Sequence, residues 1–280
     1  MSSSELNGVG IGLRSVHTAR VLDERPEVPW WEVLYDNFQA DGGPAPRVLE
    51  RVRALYRVAF HCVGLDVGSV DAPNMEYVSR LKWMADRFEP ELVSCHLCWT
   101  AVDDIFLHDL LPLPYTEEAV RHVTDRITRY QDVLGRRILI ENVSTYLRFA
   151  DSQMTEAEFL RAVAEAADCL ILFDVNNAYV NHRNLDEDLE AMLGTLPPER
   201  IGQMHLGGYE EQSDGLLLDT HGADVPDPVW DVFAAATQRF PDVPVCIERD
   251  NNIPPLDDLL AERQRAEDIR QTLALEGARG

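Results

Sequence analysis

Positive charge is scarce in this sequence. Its 280 residues carry 25 Lys and Arg against 49 Asp and Glu, which gives a formal net charge of −24 at pH 7. Nucleic acids are bound mainly through Lys and Arg side chains that displace counterions from the phosphates. An acidic protein repels such a polymer, so the composition argues against a nucleic-acid partner. It is compatible with a basic peptide, another cationic partner or a metal ion.

Long apolar runs, a signal peptide and paired cysteines are also lacking. No run reaches the length that crosses a bilayer, and residues 1–7 have neither the basic start nor the apolar core of a signal peptide. The five cysteines are odd in number and lie mostly in apolar runs, where buried reduced thiols are common. We therefore expect a cytoplasmic protein with no membrane segment and no disulfide framework.

Eight short apolar runs alternate with amphipathic segments along the chain. Several runs are continuous and rich in Val, Ile and Leu, as in parallel strands that are covered on both faces. The runs are residues 9–13, 30–35, 58–65, 92–99, 137–143, 170–175, 201–207 and 243–248. The helical segments are 46–56, 74–88, 116–134, 156–167, 186–193 and 228–240. Thr155 and Glu158 form a capping-box pattern before the fourth of these helices.

This alternation predicts an α/β fold, a (β/α)8 TIM barrel that forms one domain over residues 1–280. A charged helix at about 256–275 is expected to pack outside the barrel. The alternative is an open, doubly wound sheet. No G-x-G-x-x-G follows the first run and no G-x-x-x-x-G-K-[ST] occurs, so the nucleotide-binding forms of that alternative lose support.

Six consecutive predicted strands carry a titratable side chain late in an apolar run. Active sites of TIM barrels lie at the C-terminal ends of the strands. A charged group buried there costs several kcal/mol unless something compensates it. Asp219 and His221 follow the seventh strand and would face one side of an extended segment. The strand residues are His61, His96, Glu141, Asp174, His205 and Glu248. Together the eight residues predict a metal centre.

Single members of this set have plainer explanations. His61 or His96 alone fits a hydrogen-bonded core histidine, and Glu141 or Glu248 alone fits a buried carboxylate paired with Arg. The convergence of all of them on one end of a barrel favours the metal centre. Other histidines fit no strand end and are interpreted as surface or loop residues: His17, His108, His122 and His182.

The types of ligand constrain the metal. Imidazole and carboxylate groups without an obligatory thiolate suit Fe, Mn or Zn. The set exceeds what one ion needs, and a bridging carboxylate such as Glu141 would let two or three ions share it. Cys95 and Cys98 flank His96, but on a strand only Cys98 would share its face. A zinc or redox C-x-x-C motif is therefore the less favoured interpretation.

Seven motifs resemble those of the DUF692 proteins, the multinuclear non-heme iron-dependent oxidases. They are G-I-G-L-R at 10–14, P-L-P-Y-T-E-E-A at 112–119, E-N-V-S-T-Y-L at 141–147, D-V-N-N-A-Y-V at 174–180, H-L-G-G at 205–208, D-T-H at 219–221 and I-E-R-D-N-N-I-P at 247–254. The resemblance covers nearly the whole chain and implies a barrel similar to those of xylose isomerase and endonuclease IV. The order of ligands also resembles that of the nuclease, which has His where this sequence has Asn177.

The resemblance implies an enzyme that modifies cysteines of a ribosomally synthesised precursor peptide, by forming oxazolone and thioamide groups or by removing a carbon. It implies two or three iron ions of mixed Fe(II)/Fe(III) state and molecular oxygen as co-substrate. The partners it implies are the Cys-containing peptide and a peptide-binding protein encoded nearby.

By the same analogy, three groups of residues hold three ions. The first is His61, His96 and Glu141; the second is Glu141, Asp174, His205 and Glu248; the third is Asn177, Asp219 and His221. Asn176 stays open as an alternative to Asn177, since strand alternation would put residue 176 on the side of Asp174. Arg14, at the end of the first strand, is expected either to bind substrate or to form a salt bridge.

Some positions depart from the family, and other functions stay open. Cys95 stands where the family often has an acid, and Tyr209 where His is frequent. Residues 100–115 are long for a loop and are expected to form a lid or a docking surface. The alternative functions are a trinuclear zinc phosphodiester hydrolase of endonuclease IV type, a metal-dependent sugar isomerase, and a non-enzymatic barrel for metal storage or scaffolding.

Overall fold

The computed structural model describes residues 6–40, 42–103 and 105–277. Residues 1–5 lie outside the described residues. They belong to the N-terminal segment in which the sequence predicts no signal peptide. The strands are β1 (Val9–Gly12), β2 (Trp30–Leu34), β3 (Arg57–Cys62), β4 (Val93–His96), β5 (Trp99–Val102), β6 (Ile105–Leu111), β7 (Leu139–Glu141), β8 (Leu170–Asp174), β9 (Ile201–Leu206), β10 (Tyr209–Glu211), β11 (Leu217–Asp219) and β12 (Val245–Ile247).

The helices alternate with these strands. The α-helices are α1 (Thr18–Glu24), α2 (Pro44–Arg53), α3 (Met75–Phe88), α4 (Glu117–Leu134), α5 (Glu156–Ala166), α6 (Val175–Leu185), α7 (Leu189–Thr195), α8 (Asp227–Arg239) and α9 (Leu256–Gly277). Short 3-10 helices span Ser15–His17, Tyr35–Phe38 and Pro198–Arg200. Within the residues described, no helix combines the length and the hydropathy needed to cross a membrane.

Eight strands close into one parallel barrel in the order β1-β12-β9-β8-β7-β4-β3-β2. These are the eight apolar runs of the sequence, so the prediction of a (β/α)8 TIM barrel is confirmed and the open-sheet alternative is wrong. The continuous apolar runs predict these strands because strands between an inner core and an outer ring of helices need apolar side chains on both faces. The other strands form two hairpins, β5–β6 and β10–β11, at the ends of barrel strands.

The register of the barrel brings the late polar residues to one level. His96 pairs with Glu141 between β4 and β7, and Asp174 pairs with His205 between β8 and β9. The backbone N–H of Glu248, just after β12, donates to the carbonyl of Leu206 at 2.8 Å. All these residues therefore lie at the C-terminal end of the barrel.

The other end of the barrel is apolar. Trp30, Leu139, Leu172 and Cys246 belong to a small buried cluster of its own. A Cβ atom at Gly10 would lie 2.5 Å from the Trp30 indole, so only glycine leaves room for this ring on the neighbouring strand. Close packing at this end holds the strands together, and the polar groups are confined to the opposite end.

The predicted helices are present, with ends that differ by a few residues. Thr155 Oγ1 accepts from the backbone N–H of Glu158, and Glu158 Oε2 accepts from that of Thr155, so the predicted capping box is confirmed. Helix α9 matches the predicted segment, and Arg263 Nε on it donates to the carbonyl of Val9 in β1 at 2.9 Å. Helices α1 and α6 were not predicted. Helix α6 was missed because it follows β8 with no intervening loop.

Helix α5 begins with a buried carboxyl group. The Glu156 side chain belongs to a residue that is only 5% exposed. Burial raises its pKa from 4.5 to about 8, although Asn181 Nδ2 donates a hydrogen bond to Oε2. The folded chain holds this proton more tightly than the unfolded chain. The contribution of the group to the free energy of unfolding is therefore fully present below pH 4.5. That contribution is lost as the pH rises to about 8.

Replacement of Glu156 by Gln should remove this titration and keep the shape of the side chain. We expect Glu156→Gln to match the unchanged chain near pH 5 and to exceed its free energy of unfolding near pH 8.5 by about 2–4 kcal/mol, since one pKa unit corresponds to about 1.4 kcal/mol. Denaturant unfolding at both pH values measures the difference. Glu165→Gln, on the exposed face of α5, is the control. A stability change that does not vary with pH would contradict the prediction.

Candidate metal centre

A cavity of about 570 Å³ opens at the C-terminal end of the barrel. Strand ends, the β5–β6 hairpin and the segment after β11 form its walls. Six of the predicted metal ligands line it: His61, His96, Asn177, Asp219, His221 and Glu248. Three others lie close to them in the strand ends, namely Glu141, Asp174 and His205, and the last two are fully buried. The structure therefore brings all nine predicted ligands to one end of the barrel.

The first group of close side chains is His61, His96 and Glu141. The Nε2 atoms of the two histidines are 3.2 Å apart, and each lies 3.5 Å from Glu141 Oε2. The hydroxyl of Ser94 lies 2.8 Å from His61 Nδ1 and 3.3 Å from the carbonyl of Phe60, so it can accept from Nδ1–H while it donates to the carbonyl. In that tautomer the lone pair of His61 Nε2 faces the group.

Burial favours the uncharged forms of all three side chains of this group between about pH 4 and pH 8. Burial, reinforced by neighbouring histidines, lowers the pKa of His61 to about 3 and that of His96 to about 4. Burial raises the pKa of Glu141 to about 8. Glu141 Oε2 makes no hydrogen bond within residues 6–40, 42–103 and 105–277. Two neutral imidazoles and a carboxyl oxygen without a hydrogen bond thus face one point, which is the donor set of an N/O metal site.

The second group surrounds one nitrogen of His205. His205 Nδ1 lies 2.9 Å from Glu248 Oε2, 3.5 Å from Glu141 Oε1 and 3.9 Å from Asp174 Oδ2. The potential ligand atoms of these four residues lie within 4.8 Å of one another. Although burial lowers it, neighbouring carboxylates raise the pKa of His205 well above its ordinary value. The carboxylates around Nδ1 thus favour a positive charge at this point.

The third group centres on His221. Its Nδ1 lies 3.4 Å from Asp219 Oδ1, and its Nε2 lies 3.2 Å from Asp174 Oδ2. The premise of one extended segment is wrong, because β11 ends at Asp219 and His221 has a φ of 43°. The left-handed turn brings the pair together instead. His221 also lies within reach of Glu248 and Asp250, a second possible ligand set that the sequence analysis did not identify.

The structure distinguishes the two asparagines after Asp174. Strand alternation does not apply to them, because both lie in the first turn of α6. Oδ1 of each is buried without a hydrogen-bond partner among the described residues. Asn176 donates from Nδ2 to Asp219 Oδ1 at 2.9 Å, and Asn177 donates from Nδ2 to the carbonyl of Asn142 at 3.1 Å. Asn177 lines the cavity, and this position favours it as the residue facing a cation.

Glu32 belongs to the site but was missed in the sequence. It is 2% exposed on β2, and its Oε2 accepts from His205 Nε2 at 3.1 Å and from Gln203 Nε2, while its Oε1 lies 2.9 Å from the same His205 nitrogen. This bond leaves His205 Nδ1 to face the second group, as carboxylates behind metal-binding imidazoles do. The sequence feature that could have identified Glu32 is an acidic residue inside the apolar run W-W-E-V-L. It was overlooked because Glu32 lies in the middle of the strand.

Arg14 lies in the cavity wall and forms ion pairs with acidic side chains. Its Nη2 pairs with Asp250 and lies 3.6 Å from Glu248 Oε1, and its Nε donates to the carbonyl of Arg249. The expected salt bridge is therefore present. Arg14 also faces the cavity, so a contact with substrate stays a prediction.

The β5–β6 hairpin accounts for most of residues 100–115, apart from Asp104, which lies outside the described residues. It brings Phe106, His108 and Leu110 to the cavity. His108, which was interpreted as a surface or loop residue, is exposed but contributes to this wall. The ring of His108 lies 4.6 Å from that of Phe106.

The remaining histidines and the C-x-x-C motif lie outside the three groups. His17 is buried, contrary to the prediction, whereas His122 and His182 are half-buried and bond to backbone carbonyls. Cys95 and Cys98 are buried, and burial raises the pKa of each thiol. Neither belongs to any ligand group found within the described part of the chain.

Comparison with known proteins gives one family and several relatives. Residues 8–271 match the model of a family described as RiPP precursor modification enzyme MbnB/TglH/ChrH. A UPF0276 protein of Acaryochloris marina is 48% identical over 267 residues, which cover 95% of this chain and 96% of the relative. A UPF0276 protein of Anaeromyxobacter sp. is 47% identical over 264 residues, with coverages of 94% and 93%.

Solved structures share the fold at low identity. Endonuclease IV of Thermus thermophilus has a TM-score of 0.61 and 16% identity, and covers 95% of this chain and 99% of its own. D-Psicose 3-epimerase of Clostridium cellulolyticum has a TM-score of 0.62 and 10% identity, with coverages of 96% and 99%. A xylose isomerase-like TIM barrel protein of Mycobacterium smegmatis has a TM-score of 0.61 and 13% identity, with coverages of 98% and 99%. These similarities show the barrel type and no more.

Glu32 provides a test of how His205 is held. Glu32→Gln keeps an acceptor oxygen but removes the charge behind the imidazole. We expect a metal ion bound at the second group to be held about 10–100-fold more weakly, because partners behind a ligand set its orientation and basicity. Competition with a chelator measures this affinity, and Glu27→Gln, exposed before β2, is the control. Unchanged affinity would rule out this role for Glu32.

Gly207 provides a test of the position of His221. A Cβ atom at residue 207 would lie 1.6 Å from His221 Cδ2, so Gly207→Ala must displace the ring. We expect the variant to bind about one metal ion fewer per chain and to keep its barrel fold, as judged by elemental analysis and circular dichroism. Gly194→Ala is the control, since a Cβ there meets no atom within 4 Å. Full metal content in Gly207→Ala would show that His221 holds no ion.

Proposed function

This chain belongs to the MbnB/TglH/ChrH family of RiPP precursor modification enzymes, and from that premise we propose that it is a multinuclear non-heme iron enzyme. It uses molecular oxygen to modify cysteine residues of a ribosomally synthesised precursor peptide. The resemblance to the DUF692 proteins is confirmed by the family match and by relatives of up to 48% identity. Iron, oxygen and the cysteine product are the proposed part.

One observation carries the proposal of several ions in one centre. The two oxygens of Glu141 face different groups: Oε2 lies 3.5 Å from both His61 Nε2 and His96 Nε2, and Oε1 lies 3.5 Å from His205 Nδ1. A carboxylate with one oxygen directed at each group would contribute a ligand to two cations. The buried oxygens without hydrogen bonds on Glu141 and Asn177 fit metal ligands.

The residues of each group then have distinct tasks. His61, His96 and Glu141 would hold the first iron, and Asp174, His205 and Glu248 would hold the second together with Glu141. Asn177, Asp219 and His221 would hold the third, with Asp250 as a competing ligand for His221. Imidazole and carboxylate donors suit Fe, Mn or Zn, and the choice of iron rests on the resemblance to the multinuclear oxidases.

The cavity supplies the setting for the reaction. Bound iron would supply the activation of oxygen and would lower the pKa of the substrate thiol. The neutral imidazoles of His61 and His96 keep their lone pairs toward the centre above about pH 4. Phe106, Leu110 and Arg14 line this cavity. The two apolar side chains would shield the bound cysteine from water, and Arg14 would contact a carboxylate or the backbone of the substrate.

The partners follow from this proposal. They are a Cys-containing precursor peptide and a peptide-binding protein encoded nearby, in the cytoplasm, with no nucleic acid and no membrane. The net charge of −24 supports a cationic or neutral partner over a polyanion. The likeness to endonuclease IV and to the epimerase concerns the fold alone, so neither DNA cleavage nor sugar isomerisation gains support from it.

Metal content tests the proposal directly. Protein purified without oxygen should contain two or three irons per chain, with a Mössbauer spectrum of antiferromagnetically coupled ions. Glu141→Ala should lose at least one of them because it removes the bridge, whereas Glu118→Gln, exposed on α4, should lose none. Incubation with oxygen and the peptide encoded nearby should then change the mass of the peptide at cysteine. Stoichiometric zinc without iron would refute the oxidase and lead to tests of phosphodiester cleavage.

A further inference from the structure

A second cavity, of about 300 Å³, opens at the same end of the barrel. Its walls come from the segment after β6, the loop between β7 and α5, and the end of α6. Leu113, Phe149 and Leu185 form apolar walls, and Glu156 and Asn181 supply polar groups. Leu113 lies two residues after β6, which itself lines the metal cavity, so the two cavities are neighbours.

Glu156 is a buried acid in this cavity with no positive partner. Its Oε2 accepts from Asn181 Nδ2 at 3.1 Å, and within the described residues no Lys, Arg or His forms a salt bridge with it. Arg148, in the cavity wall, is already paired with Glu187 Oε1 at 2.7 Å and with the carbonyl of Leu185. Burial keeps this carboxyl group protonated up to about pH 8, and a cation that enters the cavity would stabilise its ionised form instead.

Asn181 is held rigidly, and this fixes the direction of Glu156. Asn181 Oδ1 accepts from the backbone N–H of Thr145 at 2.7 Å, and its Nδ2 also donates to the carbonyl of Val143 at 3.0 Å. The amide therefore binds one oxygen of Glu156 and leaves the other for a ligand. Asn181 is 1% exposed, so this arrangement is part of the packed wall and not of a surface.

The chemistry of the walls selects an organic cation. Glu156 belongs to none of the groups of His, Cys, Asp and Glu that are close enough to hold a metal ion in the described part of the chain. Apolar walls leading to one acid fit an aliphatic stem with a charged head, which is the build of Lys and Arg side chains. The volume suffices for one such side chain.

We propose that this cavity binds a Lys or Arg side chain of the substrate peptide, with the charged head on Glu156 and the stem against Leu113, Phe149 and Leu185. The identification of the ligand as part of a peptide rests on the proposed function, whereas the cation site rests on the cavity alone. Binding here would anchor the peptide beside the metal cavity and set which cysteine reaches it.

The experiment uses small probes with the protein as purified, with its metal. n-Butylguanidinium and n-butylammonium are titrated by calorimetry near pH 8.5, and butylurea serves as the neutral counterpart of the same shape. We expect one cation to bind per chain, and butylurea to bind at least about tenfold more weakly, because a charged hydrogen bond is lost. Equal binding of butylurea, or no saturable binding of either cation, would overturn the proposal.

Variants locate the binding. Glu156→Gln should weaken cation binding at least about tenfold, and Glu165→Gln on the same helix should leave it unchanged. Leu185→Trp, which fills the cavity, should block binding without touching the acid and serves if Glu156→Gln fails to fold. Unchanged binding in a folded Glu156→Gln or Leu185→Trp would refute the site. An iron-loaded protein that binds no cation would refute this inference alone, whereas a cation-binding protein that contains only zinc would refute the proposed oxidase and leave the cation site standing.

Discussion

Buried negative charge at one end of the barrel is the constraint on which this structure depends. Carboxylates of Glu141, Asp174 and Glu248 face a single imidazole nitrogen of His205, and a fourth, Glu32, accepts from its other nitrogen. Such a concentration is costly in a low-dielectric interior unless cations offset it. Protons offset part of the cost, and metal ions would offset more, so binding of metal and stability of this end of the barrel are linked.

The fold places close apolar packing at one end of the barrel and the buried charges at the other. The end of the barrel around Trp30 is apolar and close-packed, and Gly10 leaves the space that the indole needs. The opposite end holds the polar residues, and short elements outside the barrel complete it. The hairpin after β9 delivers His221, whose ring occupies the space that any side chain at Gly207 would need. Rigid strands thus position most donors, and a tight turn positions the last.

Particular elements show why sequence reasoning succeeded in some places and failed in others. The eight strands were found because burial on both faces leaves continuous apolar runs, and the late position of His96 and Glu141 in their runs pointed to one end of the barrel. Helix α6 was missed because its first turn continues β8 without a break. Glu32 was missed because it reaches His205 from mid-strand on β2, across 173 positions of sequence.

The sequence by itself determined the eight barrel strands, most of the helices, the capping box of α5 and most of the candidate donors, because periodicity and burial leave a pattern in neighbouring residues. Only the tertiary structure decided which donors meet. The two-sided placement of Glu141, the position of Asn177 in the wall of the metal cavity and the cavity around Glu156 all depend on distances between residues far apart in the chain. Such distances are set by the closure and register of the barrel, which no local pattern specifies.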